Sequence, residues 1–567
     1  VVSRVKRTVF IILLFHWVAM ATHGEVYVNG SIQHDGLFPT TDVSAIRTTP
    51  RGEWAKIDHL SNNYLDLSVQ YNHKEDSNKI GFRGITARTR AELTQWALPG
   101  YEKDFNGHGI SHLSATLDFN WGHISVGDIY GQFGSGLVLC LYEDRALGVD
   151  NALRGAKIDV NPYKGMHITL LGGKQRRYWN CYEDDAWGYN YKQDAAMGAN
   201  IELNIEEWSK RMQESEVYLT IGGSYVSKYE QEDTILTIIN NNLYRYNLPQ
   251  WVGAGDVRIN LQVKGFDLLA EYAYKANDPC LDNLLNYRPG EAFLVSMSYS
   301  RKGMSILGQI KRSENMSFRS ERQRRGLAGR LNHMPAFAQQ HTYTLAALYP
   351  YATQYADGEW AFQAELRYNW RRKTPMGGRY GTTLKIGGSH IRGLDKQGSW
   401  AVNTTKEGEY YSDVNIELNK RITQRWWLNA MVMYQAYNQR IVEGEGELVR
   451  SAIAVLDSKV QITDKVSMRG ELQYLFTKQH QGQWLFALCE LNLWNRLTLS
   501  GQWMYNIGGT SLSTHEHFYT ASATYTHGAH RLMIGYTKTR DGYNCSGGIC
   551  RYVPRQEGIS MSYNFTW

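Results

Sequence analysis

Long apolar runs, cysteine and a strong net charge are all scarce in this sequence of 567 residues. Beyond the first two dozen residues, no run approaches the roughly 18 apolar residues that a spanning helix needs, which excludes a helical membrane protein. Six cysteines are too few for a disulfide framework to hold a chain of this length. The formal net charge of +6 is too mild to imply a nucleic-acid partner.

Glycine and aromatic residues are abundant instead. The chain has 53 glycines, 38 tyrosines and 17 tryptophans but only 11 prolines, and its mean hydropathy of −0.46 is typical of a soluble protein. A transmembrane β-barrel combines these properties, because only alternate residues of each strand meet lipid and the others are free to be polar. The composition therefore favours one very large barrel over several ordinary domains.

The N-terminus has the layout of an export signal. Basic residues precede a short apolar core at 8–18, and Ala19 and Ala21 supply the small side chains of a cleavage site. The apolar core is too short for a membrane anchor. We therefore expect residues 1–21 to be a signal peptide and residues 22–567 to form the mature, single-domain protein.

Apolar and polar residues alternate with a period of two from end to end. The pattern is clear in 113–121, 257–264 and 362–371, where a polar or charged residue occupies every second position. The other face carries aliphatic residues and often ends in tyrosine or tryptophan, which suits the two aromatic girdles of a membrane barrel. We predict an all-β fold, a large antiparallel transmembrane β-barrel of about two dozen strands.

The connections between these strands alternate in length. Tight turns such as 301–303 and 463–465 tend to alternate with long polar stretches such as 437–450. Short periplasmic turns and longer extracellular loops give this pattern in outer-membrane barrels. The strand parity is ambiguous in 312–341 and 392–412.

The final segment, 558–567, alternates regularly and ends in Trp567. It resembles the C-terminal strand that the barrel-assembly machinery recognises in bacterial outer-membrane proteins. We expect it to pair with the first strand, because an open sheet edge is not tolerated in lipid. The predicted location is the outer membrane of a Gram-negative bacterium, with outer-membrane lipid, lipopolysaccharide and the assembly machinery as partners.

The densest run of special residues lies at 127–155, between two predicted strands. Its glycine-rich part lacks the strand-to-helix context and the Lys-Ser/Thr of a phosphate loop. We expect a connection folded into the lumen, whose charged residues pair with one another because an unpaired charge is costly in a partly dehydrated interior. The network either stabilises a plug or forms a functional constriction, and its candidate residues are Asp128, Glu143, Asp144, Arg145, Asp150, Asn151 and Arg154.

This run resembles a family of uncharacterised outer-membrane barrel proteins from the Bacteroidota. The similarity is carried by G-D-x-Y-x-x-F-G-S-G-L, Y-E-D-R-A-L-G-V-D-N and L-R-G-A-K, which together cover about 35 residues. The resemblance implies an outer-membrane barrel but no reaction and no catalytic residues. The arrangement is also loosely similar to the lumen-folded segment of large substrate-specific porins.

A second charged segment lies at 301–330 and is strongly basic. In a surface loop, its guanidinium groups would contact lipopolysaccharide phosphates or an anionic polymer, and in the lumen they would favour anions. A merely solvated loop is the third alternative. The candidate residues for anion contact are Arg319, Arg322, Arg324 and Arg325.

Two cysteines close to the C-terminus bracket a turn. In an oxidising compartment, Cys545 and Cys550 are expected to form a small loop disulfide rather than a metal site, because no histidine lies between them. The 17 histidines form no distinctive catalytic pattern, so we predict neither an enzyme nor a cofactor.

Two non-enzymatic functions remain open. A polar interior with many charged side chains favours a porin-like channel for small polar or anionic solutes. A plugged lumen favours an accessory or scaffold subunit of an envelope machine for secretion, barrel assembly or lipoprotein docking, with other envelope proteins as partners. The channel is ranked slightly ahead.

Overall fold

The computed structural model is built almost entirely of β-strands. It describes residues 24–40, 46–48, 54–56, 58–73, 81–176, 178–179, 194–231, 234–239, 241–324, 326–327, 329–546 and 548–567, so the predicted signal peptide at 1–21 lies outside the described residues. None of the short helices in these ranges has the length and apolar composition that crossing a bilayer requires.

Twenty-four strands form one large antiparallel sheet. The first twelve are β1 Gly24–Pro39, β2 Leu60–His73, β3 Phe82–Thr94, β4 Gly107–Phe119, β5 Gly122–Ile129, β6 Leu153–Tyr163, β7 Met166–Gln175, β8 Ala195–Asn204, β9 Val217–Tyr229, β10 Trp251–Val263, β11 Phe266–Lys275 and β12 Gly290–Arg301. The second twelve are β13 Met304–Glu314, β14 Glu359–Trp370, β15 Thr382–Arg392, β16 Glu409–Arg421, β17 Trp426–Asn438, β18 Leu448–Thr463, β19 Val466–Thr477, β20 Gln483–Leu493, β21 Leu497–Gly508, β22 His517–His527, β23 His530–Thr539 and β24 Gln556–Thr566.

The sheet closes on itself. Every strand pairs with its neighbours in sequence, and β24 pairs with β1 from Ser31 opposite Thr566 to Pro39 opposite Gly558. Closure gives each strand two hydrogen-bonded neighbours and leaves no open edge. The predicted large antiparallel barrel of about two dozen strands is therefore confirmed, including the pairing of the last strand with the first.

The alternation in sequence becomes an inner and an outer face. In β10, Val257 and Ile259 are 64% and 40% exposed, whereas Asp256 and Arg258 are almost fully buried. Successive side chains of a strand point to opposite faces of the sheet, so the aliphatic set lies outside and the polar set faces the lumen. The outer face is apolar and no part of the described chain covers it at these positions.

The two rims of the barrel differ in their connections. The short-turn rim carries two-residue turns such as 264–265 and 302–303, together with the longer connections 205–216 and 371–381. All connections on the opposite, long-loop rim are longer than two residues. In the ambiguous region 312–341, residues 312–314 end β13 and the rest belongs to the connection of β13 to β14 at 315–358. The region 392–412 contains the end of β15, the connection 393–408 and the start of β16.

Two of the long connections enter the lumen, and we call them together the lumenal insert, residues 130–152 and 315–358. Phe133, Phe318 and Leu331 of the insert form one buried apolar cluster with wall residues such as Val226 and Leu294. Each such side chain contributes about 1.5–3 kcal/mol when fully buried. The lumen thus contains a packed core, and the predicted segment folded into the lumen is confirmed.

Candidate functional site

The first part of the insert, 130–152, follows β5 and turns back on itself. Gly134 adopts φ +52°, a conformation that favours glycine, and its Cα approaches the Glu271 carboxylate closely. Further along, Asp144 accepts a hydrogen bond from the Leu147 amide at 3.0 Å. Asp144, a predicted member of the charge network, therefore stabilises a turn. It forms no ion pair with any described residue.

Four alternating charges join the insert to the barrel wall. Arg145 donates to Glu143 and to Asp66, both at 2.7 Å. Arg90 donates to the same two carboxylates, at 2.7 Å to Asp66 and 2.6 Å to Glu143. Asp66 lies on β2 and Arg90 on β3, so the ring of four charges ties the insert to two strands.

A second group of charges lies directly beside this ring and is more deeply buried. Arg176 forms ion pairs with Asp150 and, at 2.8 Å, with Glu92, and all three side chains are at most 5% exposed. The hydroxyl of Tyr130 donates to Asp150 at 3.0 Å, and the Asp150 amide donates to Tyr178 at 2.9 Å. A buried charge requires this degree of pairing. We call the seven charged residues the ionic cluster: Asp66, Arg90, Glu92, Glu143, Arg145, Asp150 and Arg176.

Two cluster residues that belong to the insert, Asp150 and Arg145, have pKa values shifted towards their charged forms. Burial alone would raise the pKa of Asp150, but the guanidinium groups of Arg176 and Arg90 outweigh it and hold this pKa below its usual value. Burial would lower the pKa of Arg145, but Glu143 outweighs it and the pKa is raised. Both directions stabilise the charged forms.

The remaining predicted network residues lie close to the cluster. Asp128 and Arg154 pair with each other through two hydrogen bonds of 2.9 and 2.8 Å, between β5 and β6. Asn151 is buried, and its backbone N–H donates to the backbone carbonyl of Tyr142 at 3.0 Å. The structure thus brings the predicted residues to one region of the lumen and distributes them among ion pairs, a turn and backbone contacts.

A polar cavity of about 750 Å³, which we call the vestibule, extends from the ionic cluster to Trp567 at the short-turn rim. Its lining includes Tyr130 and Glu143 of the insert and Arg88 and His112 of the wall. Arg88 is exposed, and no carboxylate in the described part of the chain forms an ion pair with it. The vestibule therefore offers a cationic group to a polar or anionic solute.

Three of the four arginines predicted for anion contact are largely buried. Arg319 and Arg322 are about 1% exposed and pair with Asp282 at 2.7 Å and with Glu230 at 3.0 Å. Arg324 pairs with Asp104. The expectation of a solvated or lipopolysaccharide-binding loop is wrong for these three, because carboxylates of neighbouring long-loop connections already satisfy them. Arg325 lies outside the described residues.

The disulfide hairpin lies at the long-loop rim. Cys545 and Cys550 are bonded and lie opposite each other in a hairpin of Gly542–Ser546 and Ile549–Val553. Ile549 packs on Leu147 and Val149 of the insert. The hairpin therefore covers the first part of the insert. No group of three potential metal-ligating side chains is found among the described residues.

Sequence reasoning missed four members of the cluster, namely Asp66, Arg90, Glu92 and Arg176. A signal was present for two of them: Arg88, Arg90 and Glu92 occupy alternate positions on one face of β3, which predicts three charges side by side in the lumen. Their partners lie far away in sequence, and no local pattern indicates that pairing.

Comparison with known proteins gives one family and several distant structures. Residues 5–567 match a family of unknown function (DUF6029), and no curated protein matches. Similar solved structures include the siderophore receptor PirA from Pseudomonas aeruginosa (10% identity, TM-score 0.40, 95% of this chain and 80% of that one). They also include OpdK from P. aeruginosa (8%, 0.37, 96% and 99%) and OccAB3 from Acinetobacter baumannii (8%, 0.34, 96% and 100%).

Proposed function

Because the chain belongs to the DUF6029 family, a family of unknown function, we propose its role from its own geometry. We infer that it is an integral barrel of the outer membrane of a Gram-negative bacterium, reached after export. Its apolar outer face supports this location, since a closed barrel with uncovered aliphatic side chains is stable in lipid and not in water. Its terminal strand β24 would be the recognition element for the barrel-assembly machinery.

We propose further that the barrel is a non-enzymatic, porin-like channel for small polar or anionic solutes. The observation that carries this proposal is the vestibule, whose wall combines the exposed Arg88 with hydroxyl and carboxylate groups. Rings of charged side chains select ions and polar solutes in other pores. The ionic cluster lines the vestibule through Asp66, Arg90 and Glu143 and ties the insert to the wall, so it is placed to control whether the passage is open.

The packed core of the lumen favours a second candidate, a scaffold subunit of an envelope machine. Insert and wall share one buried apolar cluster, as expected of a permanent plug. In that case the long-loop rim would be the docking surface for other envelope proteins.

Conductance in planar bilayers separates the two candidates. Arg145→Ala removes the guanidinium that ties the insert to Asp66 of the wall, so a channel gated by the insert should show larger or more frequent openings. Arg469→Ala is the control, because Arg469 pairs with Asp457 and other carboxylates of the wall. An absence of current from both the wild type and Arg145→Ala would contradict the channel and support the scaffold.

A further inference from the structure

Three neighbouring connections of the short-turn rim are unusually basic, and we call them the basic arc, residues 301–303, 371–381 and 420–425. None of these residues is acidic. Among the described residues, Arg425 pairs with Asp464 of the next turn, and no other member of the arc has an acidic partner within ion-pair distance. The nine cationic residues are Arg301, Lys302, Arg371, Arg372, Lys373, Arg379, Lys420, Arg421 and Arg425.

The outer face of the barrel changes character towards this arc. Ile306 and Leu366 lie opposite each other on the aliphatic part of the face. One step closer to the rim, Met304 pairs with Tyr368 on one side and with Arg301 on the other. Aliphatic, then aromatic, then cationic side chains in this order match the transition from the hydrocarbon core to the headgroup layer of a bilayer.

A cavity of about 1310 Å³ opens at the arc. Its lining includes Arg301, Tyr368, Trp370 and Arg421, together with residues of the 371–381 connection. The guanidinium carbon of Arg421 lies 4.9 Å from the ring centroid of Trp427. Arginine and lysine around such a space provide several N–H donors for one phosphate.

The basic residues are concentrated in one part of the rim. The connection 205–216, on the same rim, carries four glutamates against Lys210 and Arg211 and is therefore acidic overall. We propose that the basic arc binds the phosphate of an anionic phospholipid headgroup in the leaflet at the short-turn rim. The proposal rests on the membrane location proposed above and is independent of conduction.

Native mass spectrometry of the folded protein in detergent tests the arc directly. The probes are phosphatidylglycerol, phosphatidylcholine and inorganic phosphate. We expect wild-type protein to prefer phosphatidylglycerol, and the triple variant Arg301→Gln, Arg371→Gln and Arg372→Gln to lose about tenfold or more of that affinity. Phosphatidylcholine binding should not change.

The matched control removes three charges elsewhere on the same rim, through Lys465→Gln, Arg496→Gln and Arg531→Gln, which are also exposed. It should stay within about twofold of the wild type. Equal losses in both triple variants, or no preference for phosphatidylglycerol, would overturn the proposal. Full displacement of the lipid by millimolar inorganic phosphate would indicate a soluble-anion site, and equally tight binding of polyglutamate would indicate an acidic protein partner; either result overturns it.

The membrane location itself is tested separately with the wild-type protein. Heat-modifiable electrophoresis reports whether the barrel is folded, and removal of detergent reports whether it needs an amphiphile to stay in solution. A barrel that is folded and soluble without detergent contradicts the proposed function. A folded, detergent-dependent barrel without lipid preference contradicts only the lipid site.

Discussion

Each charge of the ionic cluster is satisfied by residues from a different part of the chain. Arg176 directly follows β7, Glu92 lies near the end of β3, and Asp150 belongs to the insert. Burying any one of them alone would carry a large desolvation penalty, so the three depend on one another. Their arrangement therefore contributes specificity, because a displaced insert would leave unpaired charges behind.

Removing one member should reveal this dependence. Arg176→Ala leaves Asp150 and Glu92 buried with only the more distant Arg90 as an ion-pair partner, and we expect the free energy of unfolding to fall by about 3–5 kcal/mol. The control, Arg425→Ala, breaks an exposed pair with Asp464 and should cost at most about 1 kcal/mol. Urea unfolding in detergent measures the free energy of unfolding of both variants. Equal losses would show that the buried ion pairs contribute no more to stability than the exposed pair.

A partly buried histidine of the insert should make stability depend on pH. Burial, together with Lys311 and Arg330, lowers the pKa of His333 to about 4. Below pH 6.5 the unfolded chain binds a proton that the folded protein does not, so stability falls as pH drops from about 6.5 to 4 and levels off below. The full loss is on the order of 3 kcal/mol.

Urea unfolding of wild type and His333→Gln at pH 8 and pH 4.5 checks this effect. The variant should lose less stability than the wild type over this interval, because it has no imidazole to protonate. The lowered pKa of Asp150 affects stability over a different pH range. Its stabilising contribution is present above the pKa of an unfolded aspartate, near 4, and is lost only as the pH falls below that value. Identical pH slopes in the two proteins would contradict the role of His333.

At the scale of elements, strands and turns were accessible from sequence and the insert was accessible only in part. The glycines and paired charges of 127–155 indicated an inward fold, but 315–358 did not. Its apolar residues, such as Phe318 and Leu331, pack on the inner wall, and its arginines pair with distant carboxylates. Such a segment shows neither strand alternation nor the polarity of an exposed loop, which explains the ambiguous parity of 312–341.

The disulfide hairpin should hold the first part of the insert in place. Cys545→Ser removes the bond across the hairpin whose Ile549 packs on Leu147 and Val149. We expect faster proteolytic cleavage within 540–555 while the barrel strands remain protected. The reason is that removing the disulfide of a short loop removes about 2–3 kcal/mol of stabilisation. Cys489→Ser, at an exposed unpaired cysteine of β20, is the control. Unchanged cleavage in Cys545→Ser would contradict this role.

At the scale of the whole molecule, a period of two repeated in 24 strands was sufficient to predict the barrel. The signal is robust because a one-residue slip would turn every aliphatic side chain of a strand towards the lumen. The contents of the lumen follow no such rule. The pairing of Asp66 with Arg145 and the enclosure of Arg319 depend on how two long connections fill the same space, and sequence spacing does not encode that arrangement.

A lysine on the outer face tests the orientation of the whole barrel. Val257 lies at the centre of β10 and is 64% exposed on the apolar face, so Val257→Lys should destabilise folding into lipid vesicles by about 2–4 kcal/mol. Gln262→Lys places the same charge on the lumenal face of the same strand, beside Asp267, and should have little effect. Urea unfolding from vesicles compares the two. A larger loss in Gln262→Lys would mean that the two faces are exchanged, because only the lipid-facing side excludes an unpaired charge.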